Sequence, residues 1–76
     1  MFDLYILETC PYCRKVMSYF DEKGITYNKK NIADRENREN LLKLGGYEQV
    51  PFLFDSDSSK GMYESDDIIK YAESRV

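Results

Sequence analysis

Apolar residues change their spacing along this 76-residue chain, and the changes predict seven elements of secondary structure. Four short runs, apolar or alternating with polar residues, predict strands at residues 2–7, 25–32, 50–54 and 62–63. Between and after these runs, apolar positions recur at helical spacing in three segments. The predicted order of elements is therefore βαβαββα.

Capping and helix-breaking residues predict where the three helices begin and end. Pro11 suits the first turn of a helix, where its missing N–H costs little, and Gly24 lies where a helix C-terminus favours glycine. Asp34 is expected to cap the second helix, the glycine pair at 45–46 to end it, and Ser65 to cap the third. The helix residues expected to be buried are Cys13, Val16, Met17, Phe20, Leu41, Leu42, Leu44, Ile68, Ile69, Ala72 and Val76.

This order predicts an α/β fold in one domain spanning residues 1–76. Two strands joined through a helix are expected to lie parallel, because such connections are right-handed crossovers. The last two strands flank a segment dense in turn-forming residues, at 55–61, and are expected to form an antiparallel hairpin. The sequence thus predicts a four-stranded mixed sheet flanked by three helices, with helices on both faces.

Composition and charge narrow the classes of function. The chain carries 11 basic and 14 acidic residues, for a net charge of −3. Because the signs are mixed along the chain, it lacks the basic surface that nucleic-acid binding requires. No apolar run approaches the roughly 18 residues of a membrane span, and we expect no secretory leader. We expect the protein to be cytoplasmic, because a lone pair of cysteines suits a reducing compartment. We also expect it to be a monomer.

The two cysteines of the chain, Cys10 and Cys13, lie between the first predicted strand and the first predicted helix. Two thiols separated by two residues can close into a small disulfide ring, and a helix N-terminus favours a thiolate over a thiol. The pattern predicts thiol–disulfide exchange. Cys10, at the helix cap, is expected to attack, whereas Cys13 lies a turn further in and is expected to resolve the mixed disulfide.

Two other interpretations of the cysteine pair stay open. Free cysteines are often small buried core residues without chemistry of their own. A structural zinc ion needs four ligands, and this chain has no histidine and no third cysteine. A zinc site would therefore require ligands from a second copy, and we expect no metal.

Three motifs resemble those of the glutaredoxins, the glutathione-linked branch of the thioredoxin fold. The Cys-Pro-Tyr-Cys sequence at 10–13 is identical to the motif of dithiol glutaredoxins, and the Val-Pro pair at 50–51 stands where the family has a cis proline. The Ser-Asp-Asp sequence at 65–67 is similar to the family's segment at the start of the last helix. The resemblance implies a thioredoxin-like fold and a glutathione-dependent oxidoreductase that reduces protein disulfides and protein–glutathione mixed disulfides.

The resemblance also implies roles for individual residues. Cys10 would be the nucleophile that carries glutathione, and Cys13 would be the resolving thiol. Val50 would offer its backbone N–H and C=O to the cysteinyl part of glutathione, and Pro51 would face the cysteines. The other residues expected to contact glutathione are Tyr12 beside the tripeptide, Ser65 and Asp66 at its γ-glutamyl end, and Gln49 and Glu64.

Some residues depart from the family pattern, so the sequence does not decide whether glutathione or thioredoxin reductase reduces this protein. Glutaredoxins usually carry a lysine three residues before the first cysteine, where this chain has Leu7, and a threonine before the Val-Pro pair, where it has Gln49. Tyr63 and Glu64 replace a glycine pair, although the Glu-Ser sequence also looks like the glutathione-site segment of glutathione transferase N-terminal domains.

Two alternative functions follow from the same resemblance. Some small glutaredoxin-like proteins take electrons from thioredoxin reductase and serve ribonucleotide reductase. Others form a dimer that bridges an iron–sulfur cluster through the first cysteine, here Cys10, and glutathione. Pro11 is an argument against the cluster, because relatives with this Cys-Pro-Tyr-Cys motif seldom hold one.

Overall fold

A computed structural model of the protein describes residues 1–75 and contains the predicted seven elements in the predicted order. Val76, which was expected on the buried face of the last helix, lies outside the described residues. The strands are β1 (Phe2–Ile6), β2 (Tyr27–Asn31), β3 (Phe52–Asp55) and β4 (Lys60–Met62), and the helices are α1 (Pro11–Glu22), α2 (Arg35–Gly45) and α3 (Ser65–Arg75).

The four strands form one mixed sheet in the order β2-β1-β3-β4. β1 and β2 are parallel, as expected of strands joined through α1, and Leu4 lies opposite Lys29. β3 is antiparallel to both β1 and β4, and Leu53 lies between Leu4 on one side and Met62 on the other. This topology confirms the four-stranded mixed sheet expected from the element order and the thioredoxin-like fold that the resemblance implied.

A hydrophobic core lies on each face of the sheet because successive strand residues point to opposite faces. On one face, Leu4 and Leu53 pack with α1 and α3 through residues that include Phe20. On the other face, Tyr5 and Phe52 pack with α2, and their rings are 5.8 Å apart. Within residues 1–75, no helix is long and apolar enough to cross a bilayer.

Helix ends follow most of the capping residues read from the sequence. Pro11 is the first residue of α1, and Gly24 follows that helix with a φ of +68°, a left-handed conformation that glycine adopts without strain. The side chain of Asp34 accepts a hydrogen bond from the Glu36 N–H at 3.0 Å and caps α2. Gly46 ends α2 with a φ of +89°.

Two predictions about α2 and α3 are wrong. Leu42 and Leu44 are 41% and 43% exposed, because α2 contacts the sheet through a narrow stripe that centres on the fully buried Leu41. Ser65 does not cap α3 but is its first residue, since the Glu64 carbonyl accepts the first helical hydrogen bond, from the Ile68 N–H at 2.9 Å.

The predicted strand bounds also shift by one or two residues. β3 begins at Phe52 rather than at residue 50, because Pro51 has no N–H for a strand ladder. β2 is one of the two edge strands of the sheet, and Lys29 within it is exposed. The hairpin pairs Asp55 with Lys60, which moves β4 towards the loop.

Candidate functional site

Cys10 lies at the N-terminus of α1, on the turn that leaves β1. Its backbone N–H donates to the Leu7 carbonyl at 3.1 Å, and its carbonyl accepts the first helical bond, from Arg14, at 3.0 Å. Its Sγ accepts a hydrogen bond from the Cys13 N–H at 3.4 Å, so this sulfur caps the helix. A half-buried sulfur that receives a backbone N–H at the positive end of a helix is placed to carry negative charge.

Cys13 is fully buried and its environment differs from that of Cys10. Burial, helped by the hydrogen bond and charge of Cys10 and opposed by a hydrogen bond to the Leu7 backbone, raises the pKa of the Cys13 thiol to about 12. Both cysteines are free thiols. The two sulfurs are therefore chemically distinct, with Cys13 held as a neutral thiol at neutral pH.

Charged side chains around α1 are engaged in ion pairs and hydrogen bonds. Arg14 Nε donates to the Glu8 carbonyl oxygen at 2.9 Å, and the Glu8 carboxylate pairs with Lys29 at 2.6 Å. Lys15 Nζ pairs with Asp66 Oδ1 at 2.8 Å, which joins α1 to α3. The negative charge of Glu8 is thus balanced by a neighbouring cation.

A groove of about 340 Å³ lies beside the Cys-Pro-Tyr-Cys segment. One of its walls is the chain that leads into β3 and the other is the chain that leads into α3. The groove is lined by Tyr12, Gln49, Val50, Pro51, Tyr63, Glu64, Ser65 and Asp66. Seven of these eight residues are those that the resemblance implied as glutathione contacts, and the structure brings all seven together.

The eighth lining residue, Tyr63, had no role assigned from the sequence. It follows β4 directly and precedes Glu64, so its position between a strand and a candidate binding segment was the available signal. Tyr12 and Gln49 are exposed at the rim, with Tyr12 at 65% exposure, whereas Pro51 is buried.

The wall that leads into β3 presents unpaired backbone groups. The Val50–Pro51 peptide bond is cis, and Val50 packs against the same core cluster as Cys10 and Cys13. Among residues 1–75, no hydrogen bond engages the N–H or the C=O of Val50. This backbone position can therefore pair with an extended ligand in the groove.

The opposite wall is the N-terminus of α3. Because the first helical bond is donated by the Ile68 N–H, the preceding N–H groups of Ser65 and Asp66 point out of the helix, and neither has a partner within the described chain. Such a terminus favours anions. The hydrogen bond and charge of Lys15 hold the pKa of the Asp66 carboxyl below its ordinary value, so Asp66 adds a carboxylate beside these donors.

A second cavity in the structure is larger than this groove. A larger cavity of about 460 Å³ lies beyond the C-terminal end of α1, between Lys23, Thr26 and Arg75, and no cysteine lines it. The smaller groove is the candidate site because it adjoins the Cys-Pro-Tyr-Cys segment.

No group of three potential ligand side chains that could hold a metal ion occurs within residues 1–75.

The sheet topology and the thiol pair at the start of α1, with a groove beside it, define a thioredoxin-fold domain. The sequence profile of the glutathione S-transferase N-terminal domain family matches residues 4–76, and the chain belongs to that family. The profile covers the Cys-Pro-Tyr-Cys segment and both walls of the groove.

Individual relatives confirm the likeness to glutaredoxins. The chain is 36% identical over 70 residues to glutaredoxin 2 of Escherichia coli strain K12, covering 92% of this chain and 32% of that protein. It is 35% identical over 54 residues to glutaredoxin 1 of Rickettsia felis, covering 67% of this chain and 53% of that protein.

A solved structure extends this likeness to three dimensions. The crystal structure of glutaredoxin 2 from Salmonella typhimurium in complex with glutathione matches with a TM-score of 0.79 and 29% identity, over 95% of this chain and 32% of that one. The chain thus spans about half the length of the Rickettsia relative and about a third of the glutaredoxin 2 proteins.

Proposed function

We propose that residues 1–76 form a glutaredoxin-type domain that catalyses glutathione-dependent thiol–disulfide exchange. The observation that carries the proposal is the asymmetric thiol pair beside a groove whose walls present unpaired backbone groups. Cys10 is half-buried at a helix N-terminus, Cys13 is a buried thiol with a pKa of about 12, and Val50, which packs against the same core cluster, has a free N–H and C=O.

The first step is an attack by the Cys10 thiolate on a substrate disulfide. With a protein–glutathione mixed disulfide, Cys10 forms a new bond to the glutathione sulfur and the protein thiolate leaves. A second glutathione thiolate then attacks the glutathione sulfur bound to Cys10, which releases glutathione disulfide and restores the Cys10 thiolate. This cycle needs one protein cysteine only.

With a protein disulfide, the cycle uses both cysteines. Cys10 forms a mixed disulfide with the substrate, and Cys13 then attacks the Cys10 sulfur, expels the substrate thiolate and leaves a Cys10–Cys13 disulfide. The pKa of Cys13 is raised in part by Cys10, so it falls once the Cys10 sulfur is held in a disulfide. Two glutathione molecules then reduce the internal disulfide and leave as glutathione disulfide.

The groove offers a partner to each polar part of glutathione. The Val50 N–H and C=O suit the cysteinyl backbone, and the N–H groups of Ser65 and Asp66 suit the γ-glutamyl carboxylate. The Asp66 side chain suits the γ-glutamyl ammonium group. Asp66 already pairs with Lys15, but exposed ion pairs of this kind are weak, so a ligand ammonium group can share the carboxylate at little cost. Tyr12, Gln49 and Glu64 complete the contacts at the rim.

The complex of Salmonella typhimurium glutaredoxin 2 with glutathione supports this choice of ligand, because the two chains share their fold over 95% of this one. Leu7 stands where glutaredoxins usually carry a lysine. Thioredoxin reductase is therefore a second candidate source of electrons. We propose disulfide-containing and glutathionylated proteins as substrates, with ribonucleotide reductase as one candidate.

The test compares wild type with Cys13→Ser and Cys10→Ser in a coupled assay with glutathione and glutathione reductase. Cys13→Ser should keep the reduction of a protein–glutathione mixed disulfide and lose the reduction of a protein disulfide, while Cys10→Ser should lose both. Retention of either activity by Cys10→Ser would refute the assigned roles.

Parallel assays separate the alternatives. Turnover with thioredoxin reductase but not with glutathione would identify the thioredoxin-reductase-dependent redoxin instead. A visible absorption band after anaerobic reconstitution with iron, sulfide and glutathione would identify the cluster-binding dimer.

A further inference from the structure

We propose that the Tyr63 hydroxyl is a positioning group that holds the two walls of the groove at the separation needed to bind glutathione. This inference rests on the proposed function. Tyr63 belongs to the wall that leads into α3, and its hydroxyl reaches the loop between α2 and β3, which forms the other wall.

The contact is a pair of hydrogen bonds to one residue. The Tyr63 hydroxyl donates to the Tyr47 carbonyl oxygen at 2.8 Å and accepts from the Tyr47 N–H at 3.0 Å. Both bonds are made by the backbone of Tyr47, three residues before Val50. The hydroxyl therefore fixes the main chain of the loop itself, and not a side chain on it.

The aromatic ring is held independently of the hydroxyl. The Tyr63 ring lies 4.6 Å from the Phe52 ring and 5.7 Å from the Tyr47 ring, between centroids. At Gly45, a Cβ atom would collide with the Tyr63 hydroxyl, so the end of α2 leaves room for it. The end of α2, the loop that follows it and β3 thus converge on one side chain.

Few other contacts hold this loop in place. Gly46 bonds back to α2 through its N–H, and Glu48 pairs with Arg38 of α2 at 3.8 Å, with both side chains exposed. Neither contact reaches the wall that leads into α3. Among residues 1–75, the two bonds of the Tyr63 hydroxyl are therefore the hydrogen bonds that join the loop to the opposite wall.

This position matters for binding because the ligand groups supplied by the two walls are backbone groups. The Val50 N–H and C=O lie on one wall, and the N–H groups at the start of α3 lie on the other. Their separation is set by how the walls are tied together, since no side-chain rotation can compensate. Small displacements of such groups have large effects on binding and reaction geometry.

The chain offers a matched pair of variants. Tyr63→Phe keeps the ring and its packing and removes both hydrogen bonds. Tyr47→Phe removes a hydroxyl that makes no hydrogen bond within residues 1–75, on a ring that does not line the groove. We expect Tyr63→Phe to raise the KM for glutathione by about five- to thirtyfold, from the loss of two hydrogen bonds, with kcat within about twofold of wild type. Tyr47→Phe should match wild type.

Hydrogen exchange of the backbone amides provides a readout that does not depend on activity. The amide of Tyr47, which donates to the Tyr63 hydroxyl, should exchange faster in Tyr63→Phe and at the wild-type rate in Tyr47→Phe. Unchanged exchange in Tyr63→Phe overturns the inference, as does an unchanged KM in an enzyme that turns over. A wild-type chain that shows no glutathione turnover refutes the proposed function instead, and the exchange rates still decide whether Tyr63 fixes the loop.

Discussion

Replacing Asp66 by asparagine tests how the groove recognises the ammonium group of glutathione. Asp66 and Asp67 both lie in the first turn of α3, where the helix dipole stabilises a negative charge. Asp66 lines the groove, whereas Asp67 does not. Asp67→Asn is therefore a matched control, since it removes the same charge from the same turn without altering the proposed binding surface.

The expected magnitude follows from the exposure of the pair. The side chains of Lys15 and Asp66 are 53% and 77% exposed, and their atoms lie 2.8 Å apart. A ligand ammonium group bound to this carboxylate is an exposed ion pair too, and such pairs change an equilibrium by no more than about fivefold. Asp66→Asn should thus raise the KM for glutathione by about two- to fivefold, and Asp67→Asn should leave it unchanged.

Steady-state kinetics at low and high salt check this prediction. The effect of Asp66→Asn should shrink with added salt, because exposed charges are screened. Since Lys15 keeps the pKa of Asp66 below its ordinary value of 3.8, wild type should retain its advantage down to about pH 4. Equal KM values for the two variants, or a larger effect of Asp67→Asn, would refute the assignment of Asp66 to the ligand.

Two predictions concern the stability of the fold. Leu41→Ala should lower the free energy of unfolding by about 2–5 kcal/mol in urea titrations, because Leu41 is fully buried under the sheet. Leu42 is 41% exposed, so Leu42→Ala should change the free energy of unfolding by less than about 0.5 kcal/mol. Similar losses in the two variants would contradict the observed packing face of α2. The Tyr71 hydroxyl, which donates to Asp55 at 2.7 Å, leads the interactions that lower the pKa of this buried carboxyl. The stability contributed by the Asp55 carboxylate is present above its ordinary pKa of 3.8 and is lost as the pH falls through its lower pKa in the folded state. Asp55→Asn should therefore flatten the acid side of the curve of Tm against pH. An unchanged slope would contradict this prediction.

The order of elements was predictable because each segment carries its own signal. β1 is a short apolar run, α1 follows Pro11 with its buried residues at helical spacing, and Asp34 caps α2 through a local hydrogen bond. These signals depend on neighbours in the chain. The groove was predictable for another reason, because the motifs at 10–13, 50–51 and 65–67 resemble a family whose residues meet in space.

What depended on packing between distant segments was not predictable. Leu42 and Leu44 belong to an apolar cluster in the sequence, yet only the docking of α2 on one face of the sheet decides which leucine is buried. Lys15 and Asp66 pair across 51 positions of the chain, and no periodicity reports such a contact. The bonds of the Tyr63 hydroxyl to the backbone of Tyr47 are likewise invisible in the sequence.

Competitive alkylation of the reduced chain with iodoacetamide at pH 7, followed by peptide mass mapping, tests the difference between the two sulfurs most directly. The raised pKa, about 12, keeps Cys13 protonated at that pH, and its side chain is fully buried. We predict a single modification at Cys10, unaffected by Cys13→Ser and absent in Cys10→Ser. Modification of Cys13 at a rate comparable to that of Cys10 would contradict the account.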